Sequence, residues 1–252
     1  MWRTYTARVG FAHLKSNQKE EKVVKSLRRL HWSLMLALMV TLSVSVLAGC
    51  GTTDSNTGDD PEDRTLIVLQ GVGTTSLDPH FTGSIPSRNI EVTIFDTLLT
   101  TNRNNELVGN LAEDWYMVDD YTWEFKIREG ITFSNGEVLN AEAVKYSFDR
   151  ASDPEVGSTG NTQWMLSNLN LDTVVVVDEY TVQLKTTQPN AVLPNFLGDW
   201  FVLPPEYYQN TSLEELARNP VGSGPYVVEE WQKGNYILLT AREDYWKGAP
   251  DV

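Results

Sequence analysis

In "YTWEFKIREG", Tyr121, Trp123, Phe125 and Ile127 alternate with Thr122, Glu124, Lys126 and Arg128. That period of two predicts a half-buried antiparallel strand. Downstream, Asn135-Gly136 predicts a tight turn, and Asn140 caps a predicted helix whose Val144, Phe148 and Ala151 share one face. The helix must stop before Pro154. "LDTVVVVDEYTVQLKT" reads as two β-rich runs around Asp178-Glu179, so Thr101 to Thr187 forms a small mixed α+β unit. Upstream, "TLIVLQ" (Thr65 to Gln70) is almost wholly apolar and predicts a strand buried on both faces. "SRNIEVTIFDTLLT" then places Ile90, Ile94 and Leu98 at helical spacing, with Phe95 and Leu99 beside them, Ser87 as the N-cap and Glu91 in the first turn. Near the end, Ser212 to Glu215 fits a capping box for a helix running to about Asn219-Pro220. "VGSGPYVVEEWQKGNYILLT" predicts a Gly/Pro corner, a strand, a Lys233-Gly234 turn and a second strand.

The longest apolar run lies elsewhere. Leu30 to Val46 carries no charge and follows a basic cluster of Lys22, Lys25, Arg28 and Arg29. Leu30 to Ala48 would be about 28 Å long as a helix at about 1.5 Å per residue, enough to span a bilayer. Four features favour a secretory signal over a membrane span: Ser and Thr within the run, small residues at its end, a cysteine at once after it, and a polar stretch beyond. Leu47-Ala48-Gly49-Cys50 resembles the bacterial lipobox. The resemblance implies cleavage before Cys50, the only cysteine in the chain, and lipidation of its thiol. Residues 1–49 are then a signal peptide, and 50–63 the lipidated cysteine and a flexible linker. Residues 51–63 are Gly, Thr, Ser, Asn, Asp, Glu and Pro only, which cannot bury apolar area. As a coil they span roughly 20 Å.

Charge narrows the partners. The chain of 252 residues has a net charge of −14, and residues 1–49 hold eight Lys/Arg against two Asp/Glu. Beyond Gly49 the balance is 12 basic to 32 acidic residues, a net −20. That disfavours nucleic acid and anionic lipid surfaces, which need basic patches. Candidate chemistry is sparse. His80 is the only histidine after Cys50, and it follows Asp78-Pro79, which reads as a turn. No P-loop, Rossmann glycine pattern, zinc spacing or nucleophile elbow occurs, and no cofactor is implied. Trp164 and Trp200 fall in less regular segments and are candidates to line a cleft, with packing as the alternative.

Five segments in order resemble the family 5 extracellular solute-binding proteins, the oligopeptide, dipeptide and nickel binding components of ABC importers. They are "TTSLDPH"; "LAEDW" with the long block from "YTWEFKIREG" to "DRASDP"; "YTVQLKTTQPN"; "VGSGPYVVEEWQKG"; and "REDYWKGAP". The resemblance implies an α/β, periplasmic-binding-protein-like (type 2) two-lobed clamp. Residues 64–100 and 188–252 would form the first lobe and 101–187 an inserted extra domain, with the second lobe missing from the chain. It implies a binding protein rather than an enzyme: an extracytoplasmic lipoprotein that takes a peptide, oligosaccharide or metal chelate and delivers it to an ABC permease and its ATPase. By position, Gly73, Thr74 and Thr75 match the ligand-facing loop. Gly73 stands where some peptide binders carry an acidic side chain that assists capture of the ligand amine. A secreted lipoprotein hydrolase and a non-transport receptor are the alternatives.

Overall fold

Pairing partners, more than local propensity, decide which apolar runs become strands. The computed structural model describes residues 65–252, so the expected signal peptide, Cys50 and the linker lie outside the described residues. Thr65–Gln70 is not the expected strand. Leu66 to Leu69 are 69–92 % exposed, and no strand lies beside them. Extended backbone needs a neighbour for its N–H and C=O groups, and solvent fills that role here.

The period-two block behaves as its pattern predicts. Strands β1 (Leu99–Thr101) and β2 (Leu107–Gly109) pair antiparallel. Strands β3 (Ala112–Asp119), β4 (Thr122–Ile127), β5 (Leu171–Asp178) and β6 (Thr181–Thr186) form an antiparallel sheet in the order β3-β4-β6-β5. Phe125 lies opposite Trp115 on one side and Val182 on the other, so the apolar members of each strand share a face. Helix α1 (Ile85–Ile94) precedes the sheet. Helices α2 (Ala141–Ser152) and α3 (Gly160–Leu169) fall between β4 and β5. On α2, Val144, Phe148 and Ala151 are buried, as their spacing requires.

Asn140 caps α2 by accepting the Ala143 N–H at 3.2 Å. Asn140→Ala leaves that donor without its partner, and we expect a loss of about 1 kcal/mol in urea denaturation. A loss below about 0.3 kcal/mol would show that solvent replaces the cap.

Three short helices follow: α4 (Leu193–Phe196), α5 (Pro205–Asn210) and α6 (Leu213–Leu216). Ser212 caps α6 by accepting the Glu215 N–H, but the helix lasts one turn, shorter than the capping-box reading. Strands β7 (Tyr226–Gln232) and β8 (Tyr236–Ala241) make the expected hairpin.

Two apolar clusters result. The larger contains the inner face of the four-stranded sheet, α2 and α3, and extends to Leu98, Leu99, Leu193, Leu197 and Trp200. Apolar packing is thus continuous across residues 100/101 and 187/188. The smaller joins Leu77, Ile94 and Phe95 to Phe201, Leu203, Tyr208 and Leu216, with Trp231 and Ile237 of the hairpin packed against it.

Helix α1 departs from its expected register. Its N-cap is Ser84, not Ser87, and its buried face is Ser87, Glu91 and Ile94. Ile90 is only partly buried, and Leu98 lies beyond the helix at a bend just before β1. The helix stops because Phe95 turns extended, after which the Asp96 carbonyl accepts the Val202 N–H and Thr97 bridges Phe201. The "VGSGP" corner sits on this stop: the Gly224 N–H donates to Ile94 O at 2.8 Å. The buried Asp96 carboxylate accepts from Trp246 Nε1 at 2.9 Å, Tyr245 Oη at 3.2 Å and Ser223 Oγ at 3.3 Å, tying the "DYW" segment to the end of α1.

Candidate functional site

The segment before α1 carries the charge that organises its surroundings. Asp78 caps a single 3-10 turn (Pro79–Phe81), accepting the His80 N–H at 3.0 Å. Both Asp78 oxygens accept from Arg150 of α2, at 3.2 and 2.6 Å. Asp78 and Arg150 are buried, so this ion pair is shielded from solvent. Arg150 Nη1 also lies 2.7 Å from His80 Nδ1, which makes that nitrogen the acceptor. Burial, then the adjacent Arg150 charge, holds the His80 pKa well below the ordinary histidine value. His80 is therefore a neutral structural group.

Beyond this turn opens a cavity of about 220 Å³. Its walls come from α1 and its N-cap (Ser84, Ile85, Arg88, Glu91), the first turns of α3 (Asn161, Thr162, Met165) and the loop Asp199–Phe201. The α1 and α3 walls meet where two glycines cross. A Cβ on Gly160, which has φ +61°, would lie 2.6 Å from Thr82 O, and one on Gly83 would lie 2.9 Å from Gly160 Cα. Only hydrogen side chains allow that approach.

Within the cavity, the Arg88 guanidinium is committed. It pairs with Asp199, donates to the Asp199 and Gly198 carbonyls at 3.1 and 3.3 Å, and lies 4.1 Å from the centre of the Phe201 ring. Glu91, 3 % exposed, accepts from the Thr82 hydroxyl through Oε1. Among the described residues its Oε2 has no hydrogen-bond partner and Glu91 has no ion pair. Burial is the main cause that raises its pKa to about 7; the Thr82 hydrogen bond and Arg88 oppose it.

A raised carboxyl pKa stabilises the fold below the unfolded value, about 4.3, and that contribution disappears as pH rises through about 7. Neutral His80 acts in the opposite sense, gaining stability as pH rises to about 6.5. The check is therefore a difference: Glu91→Gln should become progressively more stable relative to the unsubstituted chain from about pH 5 to about pH 8 in urea titrations. A constant difference would mean that Glu91 titrates normally.

The sequence-derived candidates fall in several places. Trp200 lines the cavity, 1 % exposed and stacked on Phe148 with ring centroids 4.1 Å apart. Its Nε1 lacks a partner among the described residues. Thr74 is buried and lies outside the cavity wall. Its hydroxyl is 2.8 Å from Ser87 Oγ, which lies 2.9 Å from Ser84 Oγ, so Thr74 braces the start of α1. Gly73 and Thr75 are exposed. Trp164 is 57 % exposed, off the cavity, against Phe196. Sequence reasoning missed Arg88, Glu91 and Asp199. Glu91 was within reach: it occupies the position between Ser87 and Ile94 where an apolar residue would ordinarily face the core.

The model for bacterial extracellular solute-binding proteins, family 5 (middle region), matches residues 106–252, and the chain belongs to that family. The glutathione-binding protein GsiB of Escherichia coli is 27 % identical over 229 residues, covering 89 % of this chain and 42 % of GsiB. The Agrobacterium tumefaciens R10 protein MoaA, solved with mannopinic acid, is 28 % identical with a TM-score of 0.62, over 70 % of this chain and 36 % of that one. The oligopeptide-binding protein AppA of Bacillus subtilis, solved with a nonapeptide, is 25 % identical with a TM-score of 0.63, over 71 % of this chain and 36 % of that one. The chain thus spans about four-tenths of the length of the curated relatives it matches. Its fold is the expected periplasmic-binding-protein-like (type 2) α/β class, represented by part of that architecture.

Proposed function

We propose that this chain belongs to an extracytoplasmic lipoprotein that binds a solute, foremost a peptide, and delivers it to an ABC importer permease. The observation that supports this is family membership, joined to relatives named for glutathione and oligopeptide binding. In this reading residues 64–100 and 188–252 form one lobe and 101–187 the inserted domain. The solute is enclosed as lobes close, because it binds the closed state more tightly than the open one. Gly73, Thr74, Thr75, Trp164 and Trp200 remain candidates for solute contact, and the cavity beside Trp200 is a concavity open to a small group. Cys50 carries the lipid anchor, and residues 1–49 are removed.

Calorimetry with a defined peptide library, glutathione included, tests the solute. Saturable binding of a peptide supports the proposal, and heat signals no larger than dilution across the library count against it. Mass spectrometry of the membrane fraction tests the anchor: an N-terminal acylated Cys50 peptide is expected, and an intact 1–49 segment on the mature protein would replace lipidation with a transmembrane anchor.

A further inference from the structure

Glu91 is a buried carboxylate at a cavity wall that forms no ion pair among the described residues. Ionised carboxylates inside proteins are paired or coordinated, and an unpaired one either neutralises or awaits a cation. Among the described residues no charged group forms an ion pair with it, and the Arg88 charge acts on it only from beyond ion-pair distance. On its own helix, Arg88 is turned to Asp199 and to two backbone carbonyls. On the 3-10 turn, Asp78 holds Arg150, and neutral His80 accepts from the same guanidinium. Helix α3 contributes only neutral Asn161, Thr162 and Met165. One oxygen of Glu91 is occupied by Thr82, and the other has no partner among the described residues. The volume, about 220 Å³, suits one short aliphatic chain with a polar head. Ile85, Met165 and Trp200 supply apolar wall for such a chain.

We infer that this cavity is a subsite for a cationic group of the solute, an alkylammonium or guanidinium, with Glu91 as its counter-ion. The inference rests on the solute-binding reading and adds a chemical class to it. Occupancy and protonation are then linked: a cation binds the ionised carboxylate, so it displaces the proton that Glu91 holds at neutral pH. The ammonium itself stays charged throughout this range, as lysine does. With a Glu91 pKa of about 7, cation affinity should rise about tenfold from about pH 6 to about pH 8.

The test uses n-butylammonium and n-butylguanidinium as probes and 1-butanol as the neutral control, titrated into the full chain in mild detergent. Binding is followed by the Trp200 indole NMR signal, and proton release by calorimetry in buffers of different ionisation enthalpy. The expected result is that a cationic probe outbinds 1-butanol at least about tenfold at about pH 8, with protons released at about pH 6 to 7. Glu91→Gln should abolish both the preference and the release. The tighter of the two cations identifies the head group. Equal affinity for the cations and 1-butanol, or unchanged cation binding in Glu91→Gln, overturns the inference. If library peptides bind while Glu91→Gln changes neither their affinity nor their proton release, the inference fails and the solute-binding reading stands. If butylammonium behaves as expected while no solute binds, the subsite stands and that reading fails.

Discussion

Gly222→Ala is expected to cost about 3 kcal/mol or more in urea denaturation, a large part of the roughly 5–15 kcal/mol that holds a typical domain together. A Cβ at this position would lie 2.1 Å from Ile94 O and 2.6 Å from Phe95 Cδ1. Neither side can retreat easily. The Gly222 carbonyl accepts the Ser134 N–H at 2.9 Å, and the adjoining Gly224 N–H is fixed on Ile94 O. Ile94 and Phe95 are buried in the smaller apolar cluster. Relief requires the corner to lift off the end of α1, which opens that cluster. Gly71→Ala is the control: nothing lies within 4 Å of its Cβ, so the change should stay within about 0.5 kcal/mol. A Gly222→Ala protein as stable as the Gly71→Ala control would mean that the corner is not packed as described.

Arg150→Met should destabilise the fold by about 3–5 kcal/mol, because it strands the Asp78 carboxylate in the interior. The pair itself need not be a net gain, since desolvating both charges offsets their attraction. The double substitution Asp78→Asn with Arg150→Met should therefore recover much of the loss, because asparagine can still cap the 3-10 turn. A thermodynamic cycle over the four proteins measures the coupling. Simple additivity of the two single substitutions would show that the charges do not depend on one another.

Elements stabilised by neighbours close along the chain are legible in the residues themselves. The β4 alternation, the Asn140 cap, the face of α2 and both late hairpins depend on residues within a few positions of one another. "TLIVLQ" has equal β propensity, yet a strand also needs an adjacent edge, and no periodicity reports whether one is present. The α1 register misleads because Ile90, Ile94 and Leu98 offer a plausible apolar stripe, whereas the buried face holds Ser87 and Glu91, tied down by Thr74 and Thr82 from the preceding loop. The same holds for the cavity. Arg88 and Asp199 meet across 111 positions, and Asp78 and Arg150 across 72, distances over which a single sequence carries no pairing signal. Trp200 is legible as an aromatic in an irregular segment, but its stacking on Phe148 is not.

The anchoring of α1 by residues far along the chain has a consequence for synthesis. Trp246 reaches Asp96 across 150 positions, and Leu77 donates its N–H to Ala217 O at 2.8 Å. At about 5–20 residues per second, a ribosome needs about 8–30 s to move from Asp96 to Trp246. The four-stranded sheet, whose strands pair within residues 112–186, can assemble in that interval. Asp96, at the end of α1, lacks its Trp246 and Tyr245 partners until the "DYW" segment emerges, and Ile94 and Phe95 lack the cover of the β7-β8 hairpin until residues 226–241 are made. Over that interval the end of α1 is joined to the rest of the fold by fewer contacts than in the finished chain.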